Sequence, residues 1–314
     1  MIHLMHSRSR AALCTATIVS LASACATRTP RATPPATGLR PADPATAIAA
    51  RVSQTDGAVV RVAAWRLDGR GERIVINGDS LVHAASTMKV PVLIELAREA
   101  DRGILDLDAP VALVNRFRSI VDGSTYALNR ADDSDDSVHA RVGAPVPIRW
   151  LASRMITHSS NLATNVLLTV VHADTVTALM RRLGASRMLI RRGVEDGPAF
   201  RAGLNNVTTA RDLATVMAAI GTDRAASAAS CAWMRDVLFA QAYNDAIPAG
   251  LPAGTRVAHK TGNITAVEHD AALVYPQRGP AYVLVVLTSG IASQAEAKRL
   301  IADVARIVHA SLAQ

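Results

Sequence analysis

The chain has 314 residues, 50% hydrophobic and 19% charged, which is enough to bury one large or two modest cores. Only 3% of it is aromatic, so alanine, valine and leucine must build that core. The net charge is +8, of which residues 1–40 supply +5 through Arg8, Arg10, Arg28, Arg31 and Arg40, with no acid among them. The remaining +3 is an ordinary surface without basic clusters interleaved with aromatics, and a nucleic-acid partner is set aside.

Residues 1–24 predict an export signal. Basic MIHLMHSRSR precedes the apolar, small-residue-rich AALCTATIVSLASA, which is too short to span a bilayer comfortably. The segment ends in Ala22-Ser23-Ala24-Cys25. One reading is a plain A-x-A cleavage site; the other is cleavage before Cys25 with lipidation of that cysteine, as in bacterial lipoproteins. Such signals usually have leucine three residues before the cysteine, where this chain has Ala22, with Leu21 one residue earlier. Residues 25–43, rich in Pro, Thr and Ala, read as a disordered tether, which favours the lipid anchor. The expected location is periplasmic or extracytoplasmic, with membrane contact only through Cys25. Cys231 is then the one remaining cysteine, without an intrachain disulfide, and reads as a small buried apolar residue.

Beyond the tether, PATAIAARVSQ predicts a short amphipathic helix. GAVVRVAAWRL and ERIVINGDS predict two strands joined by a turn at Asp68-Gly69-Arg70-Gly71. Residues 86–100 have helical spacing, as do 147–157, 161–171, 174–183 and 209–220. The acidic run ADDSDDS at 131–137 reads as a solvated loop without a role. RVAHKTGNI, DAALVYP and AYVLVVLTSG predict strands, and residues 294–314 a long closing helix. Strands at both ends around a helical middle predict an α/β (α+β) fold, an antiparallel sheet flanked by helices with an inserted all-helical lobe. The expected catalytic domain spans 44–314, with 44–105 and 215–314 in the sheet lobe and 106–214 in the helical lobe.

Of the 34 basic residues only Lys89, Lys260 and Lys298 are lysines. Arginine stays charged, whereas a desolvated lysine can lose its proton and act as a base. Lys89 lies three residues after Ser86, one helical turn away on the same face. A serine hydroxyl is a weak nucleophile until a base takes its proton, and a buried lysine near other cations can be that base. The blander account makes Ser86 a helix cap and Lys89 a surface residue. Ser159-Ser160-Asn161 opens a predicted helix, placing a hydroxyl and an amide where a turn can aim both into a cleft. Lys260-Thr261-Gly262 lies in a strand-like run, where glycine admits close approach and lysine and threonine can bind a carboxylate.

The ordered set S-x-x-K, S-x-N and K-T-G resembles the penicillin-recognising serine enzymes, the class A β-lactamases and penicillin-binding proteins. The resemblance reaches MITHSSNLATNVLL, with Asn165, and NVTTARDLATVMAAI, and covers about residues 44–314. It implies Ser86 as nucleophile, Lys89 as base or proton relay, and Ser159 as proton shuttle to the leaving nitrogen. Asn161 would orient the acylamide side chain, Lys260, Thr261 and Gly262 would face the substrate, and the N–H groups of Ser86 and Asn263 would form the oxyanion hole. The implied partner is a small β-lactam or a peptidoglycan peptide, with no cofactor or metal, in a monomer. Nine scattered histidines without H-x-H or H-E-x-x-H agree with a metal-free reading.

The chain departs from that pattern in three places. Ser160 stands where class A enzymes usually carry aspartate. Glu195 lies 34 residues beyond Asn161, where a deacylating base is expected, but Ala199 replaces the asparagine four residues later. Asp196 is a second choice of base, and Asn205 or Asn206 a stand-in for the amide. After K-T-G, His269 and Asp270 occupy the region of an expected arginine, leaving the carboxylate to Lys260 and Thr261. The functions carried forward are a β-lactamase acting through Ser86, a D-alanyl-D-alanine peptidase, and a non-catalytic cell-wall-binding lipoprotein.

Overall fold

A computed structural model describes residues 43–314; the expected export signal, Cys25 and the tether up to residue 42 lie outside the described residues. The frame is an antiparallel sheet of five strands, β1 (Val59–Arg66), β2 (Ile74–Ile76), β3 (Arg256–Ile264), β4 (Val267–Tyr275) and β5 (Tyr282–Ser289), in the order β2-β1-β5-β4-β3. The sheet is therefore drawn from both ends of the described chain. The longer helices are α1 (Pro44–Val52), α2 (Lys89–Asp101), α3 (Ile148–Thr157), α4 (Asn161–Val171), α5 (Ala173–Arg182), α6 (Ala210–Gly221), α7 (Ala228–Phe239) and α8 (Gln294–Leu312).

The strand period of two divides the apolar side chains between two cores. Val60, Val62 and Ala64 of β1 join Leu284 and Val286 of β5 against Ile48 of α1 and Leu300, Ile301 and Val304 of α8. Ala63 and Trp65 face the other way with Val283, Val285 and Leu287, into a larger core with Leu93 and Leu96 of α2 and Leu213 and Met217 of α6. Strand β5 is covered on both faces, which is why its sequence is a continuous apolar run rather than an alternation. Each fully buried Leu, Ile or Val here contributes roughly 1.5–3 kcal/mol.

Several elements differ from their sequence readings. Strand β2 is three residues long because Asn77, at φ 49°, ends it. Strand β4 begins at Val267 rather than Asp270, taking in Glu268 and His269, polar residues that are buried here. The helix read over 86–100 is a 3-10 turn at Ala85–Met88 that feeds α2. Helix α7 was not legible, since AASCAWMRDVLF has small and apolar residues on every side; Ser227 caps it through Ser230 N. Cys231 lies in α7 and is fully buried. Strands β3 and β4 pair from Ile264↔Val267 to Arg256↔Tyr275, so a two-residue turn brings Asn263 opposite Glu268.

Candidate active site

Ser86 sits on the 3-10 turn that enters α2, against β3 at the edge of the sheet. Ala85 holds φ 46°, an uncommon value for a residue with a Cβ. The turn is pinned from several directions. Ala84 N donates to Asn206 O at 2.8 Å, Ala85 N to His83 Nδ1 at 3.0 Å, and the Thr87 hydroxyl to Ala84 O at 2.6 Å. Among the described residues no acceptor takes the Ser86 N–H. Gly262 of β3 lies directly against this turn. A Cβ at that position would stand 2.8 Å from both Ser86 N and Thr87 N, so only glycine allows the strand this close to the backbone of Ser86.

Lys89, the first residue of α2, is wholly buried. Its Nζ donates to Ser159 O at 2.6 Å, Asn161 Oδ1 at 2.8 Å and Ser159 Oγ at 3.1 Å. Burial is the main cause that drives its amine well below the ordinary lysine value, and the charge of Lys260 adds to it; Asp133 and Glu195 pull back. Lys260 is also fully buried and donates to Ser159 Oγ at 3.1 Å and Thr261 O at 2.8 Å. Burial lowers its amine to about 7 against the pull of Asp270 and Glu268. The Ser159 hydroxyl thus lies between two amines whose hold on their protons is weakened by burial. Ser159 itself adopts φ 59°, a second left-handed position at the site.

Helix α4 carries Asn161 as its first residue, with Ser160 as its N-cap accepting from Ala163 N at 3.1 Å. The short serine leaves room for a carboxylate from elsewhere. Asp133, whose side chain is fully buried, accepts from Asn161 N at 3.1 Å, Leu162 N at 2.8 Å and Ser160 Oγ at 3.3 Å. A negative group at a helix N-terminus is favoured by the exposed N–H groups and the helix dipole. The acidic run read as a solvated loop therefore contains two structural acids. The second is Asp135, 3% exposed and ion-paired with Arg154 at 2.5 Å. Asp135 N closes a local turn onto Asp133, whereas the helix that Asp133 caps is 28 residues away in sequence.

The Asn161 amide bridges the two halves of the site, accepting from Lys89 and donating through Nδ2 to Glu195 Oε1 at 3.0 Å. Glu195 stands at φ 63° and opens onto a cavity of about 620 Å³ that Ser86, Asn161, Asn263 and Phe200 also line. Partial burial raises the Glu195 carboxyl above its usual range, opposed first by the Asn161 hydrogen bond. Asn165 clasps this loop, accepting from Val194 N at 2.6 Å and donating to Val194 O at 2.9 Å. Asp196 is fully buried and accepts from Ser119 Oγ, Ile120 N and Ala199 N, so its carboxylate is occupied in holding the loop. Asn205 and Asn206 are likewise engaged with Arg192 and its neighbours, although Asn206 also lines the cavity.

Thr261 is 7% exposed and Asn263 is open, and both face a second recess beyond Ser159. His269 and Asp270 do not reach it. Asp270 accepts from Ile247 N at 3.0 Å and pairs with His259 Nδ1 at 2.9 Å, while the His269 ring bonds the backbone of Glu268 and His83. The polar residues of that recess, Asp245, Glu268 and Lys298, had no motif around them and were not legible as a group.

The fold has parallels among proteins of known structure. A family model described as the beta-lactamase enzyme family matches residues 43–312. A β-lactamase from Sphaerobacter thermophilus superposes with a TM-score of 0.72 at 26% identity, covering 84% of this chain and 96% of that one. PBP-A superposes with a TM-score of 0.73 at 26% identity, covering 85% and 94%. A PBP-A variant held as an acyl-enzyme complex with penicillin G gives 0.71 at 26% identity, over 85% and 95%. No curated protein sequence matches the chain.

Proposed function

The chain belongs to the beta-lactamase enzyme family, and from that premise we propose that it is a class A-type serine β-lactamase working through an acyl-enzyme on Ser86. The observation that carries this reading is the continuous hydrogen-bonded path Lys89–Asn161–Glu195. It joins a depressed amine beside the nucleophile's turn to a carboxylate facing the same cavity.

A neutral Lys89 has two N–H bonds and one lone pair. Ser159 O and Asn161 Oδ1 take the two N–H bonds, and the lone pair then faces the Ser159 hydroxyl at 3.1 Å as a proton acceptor within the site. In acylation the Ser86 Oγ bonds to the lactam carbonyl carbon as its proton passes to Lys89 Nζ. The carbonyl oxygen becomes an oxyanion, received by the N–H groups of Ser86 and Asn263. The C–N bond then breaks, and the nitrogen takes a proton through Ser159 Oγ, which both lysines contact. Lys260 and Thr261 hold the substrate carboxylate. In deacylation Glu195 takes a proton from water, whose oxygen bonds to the ester carbon; the ester C–O bond breaks and Ser86 regains its proton.

A second reading, a penicillin-binding D-alanyl-D-alanine peptidase, is favoured by two observations. PBP-A is as similar to the chain as the β-lactamase is. Ala199, whose N–H caps onto Asp196, offers no amide to hold the deacylating water. The N-terminal sequence supports export with lipidation at Cys25, and a site whose named residues all come from one chain supports action as a monomer on a small molecule. Hydrolysis of the chromogenic cephalosporin nitrocefin by the domain from residue 43 tests the reading. Turnover that disappears in Ser86→Ala supports it; equal turnover in that variant removes Ser86 as nucleophile.

A further inference from the structure

Beyond Ser159 and Thr261 the cleft continues into a recess of about 260 Å³, also lined by Asn263, Asp245, Glu268 and Lys298. That is below the about 300 Å³ at which whole ligands are usually held, so it suits one substituent of a substrate. Its charges are unequal. Lys298 Nζ donates to Asp245 Oδ2 at 2.9 Å, and these two neutralise each other. Glu268 makes no close ion pair among the described residues, although the buried Lys260 amine feels its charge. Glu268 is 3% exposed, it lines both this recess and a neighbouring one between the β3–β4 turn and the start of α8, and its Oε2 has no hydrogen-bond partner among the described residues. Burial pushes its carboxyl up to about 7; Gln294 and Lys298 draw it down, and Asp245 and Asp270 push it further up.

A buried polar atom without a partner is costly, and one that faces a cleft can gain its partner from the ligand. No arginine lines the recess among the described residues. A second anion entering it would meet the Glu268 carboxylate, whereas a cation would pair with it. We propose that this recess selects substrates carrying a cationic group on the leaving-group side of the scissile amide, with Glu268 as the pairing carboxylate. The proposal rests on the acyl-transfer reading above. Lys260 and Thr261 take the carboxylate nearer to Ser86, and the cation lies beyond it against Glu268.

Cephaloridine and cephalothin test this, because they share the thienylacetyl side chain and the ring carboxylate. They differ at C3, with a pyridinium cation in the first and a neutral acetoxy group in the second. Acylation rate constants for Ser86 are measured for both by rapid-quench intact mass, in the native protein and in Glu268→Gln. The variant is expected to slow cephaloridine and quicken cephalothin, so that the ratio of the two falls about tenfold, the scale of one partly screened charge pair. Asp245→Asn, which frees Lys298, is expected to move the ratio the same way. A general loosening of the fold would alter both rates together. A ratio that is unchanged or rises in Glu268→Gln overturns the proposal while leaving acylation at Ser86 standing. If neither drug acylates Ser86, the acyl-transfer reading fails and the proposal with it.

Discussion

Lys89 and Glu268 are both buried ionisable groups near the candidate site, yet Lys89 meets three oxygens and Glu268 leaves one of its own without a partner. The chemical end of the cleft is pre-organised: Lys89, Ser159, Asn161 and Glu195 fix one another, and Asp133 anchors the helix that carries Asn161. That arrangement costs no reorganisation when charge develops during reaction. The far end is incomplete in the protein alone and is completed by what binds. The two ends therefore answer differently to substitution. Changes at the Lys89 end act on the rate for every substrate, and changes at the Glu268 end act on the choice between substrates.

The largest effect is expected at Ser86. Ser86→Ala removes the attacking oxygen, and nitrocefin turnover should fall on the order of 10⁴- to 10⁶-fold, as for other serine hydrolases stripped of the nucleophile. Glu195→Gln keeps the shape and the bond to Asn161 but removes the base. It should acylate near the native rate and then stall, so that a burst of product is followed by deacylation slowed about 10²- to 10⁴-fold. A native steady state in that variant would move the base to another group.

Asp133→Asn sharpens the contrast at the pre-organised end. The variant should lose about 1–2 kcal/mol of stability, the scale of a helix-terminal carboxylate that accepts backbone N–H bonds, measured by urea denaturation. Its second effect is diagnostic. The Asp133 charge raises the Lys89 amine, so removing it should lower that amine further and shift the acid limb of the acylation rate to lower pH. A loss of stability without that shift would limit Asp133 to packing.

The unpaired end is read in the free protein, through the pH dependence of its stability. Glu268 is raised from 4.5 to about 7 on folding. Between those values the folded state keeps a proton that the unfolded state has released, so stability falls as pH rises through this window and levels off above it. Glu268→Gln should remove that slope from the melting temperature measured between pH 4.5 and 7. An identical slope in the variant would show that Glu268 already has a partner.

Much of the frame was legible because apolar periodicity reports burial directly. RVAHKTGNI and NLATNVLLTVV match their elements end to end, and the covered strand β5 announced itself as an unbroken apolar run. The residues brought together as Ser86, Lys89, Ser159, Asn161 and Lys260 were legible as three short motifs in order, though the serine–lysine spacing alone did not reveal that Lys89 Nζ bonds Ser159 and Asn161. The start of β4 was lost because Glu268 and His269 are buried polar residues, and burial of a polar group cannot be read from hydropathy. Asp133 was lost for a different reason. Its run looks solvated, and its value lies in a contact with a helix far along the chain. The Asp245–Glu268–Lys298 group is built from three separate segments, so only the fold assembles it.

The most direct test of the Lys89–Asn161–Glu195 path is the intact mass of the mature domain, followed in time after mixing with benzylpenicillin, for the native chain and Glu195→Gln. An adduct of one drug mass should appear and clear in the native protein while the drug is consumed, and the same adduct should persist in the variant. Persistence in both proteins would contradict Glu195 as the deacylating base and make the chain a penicillin-binding peptidase.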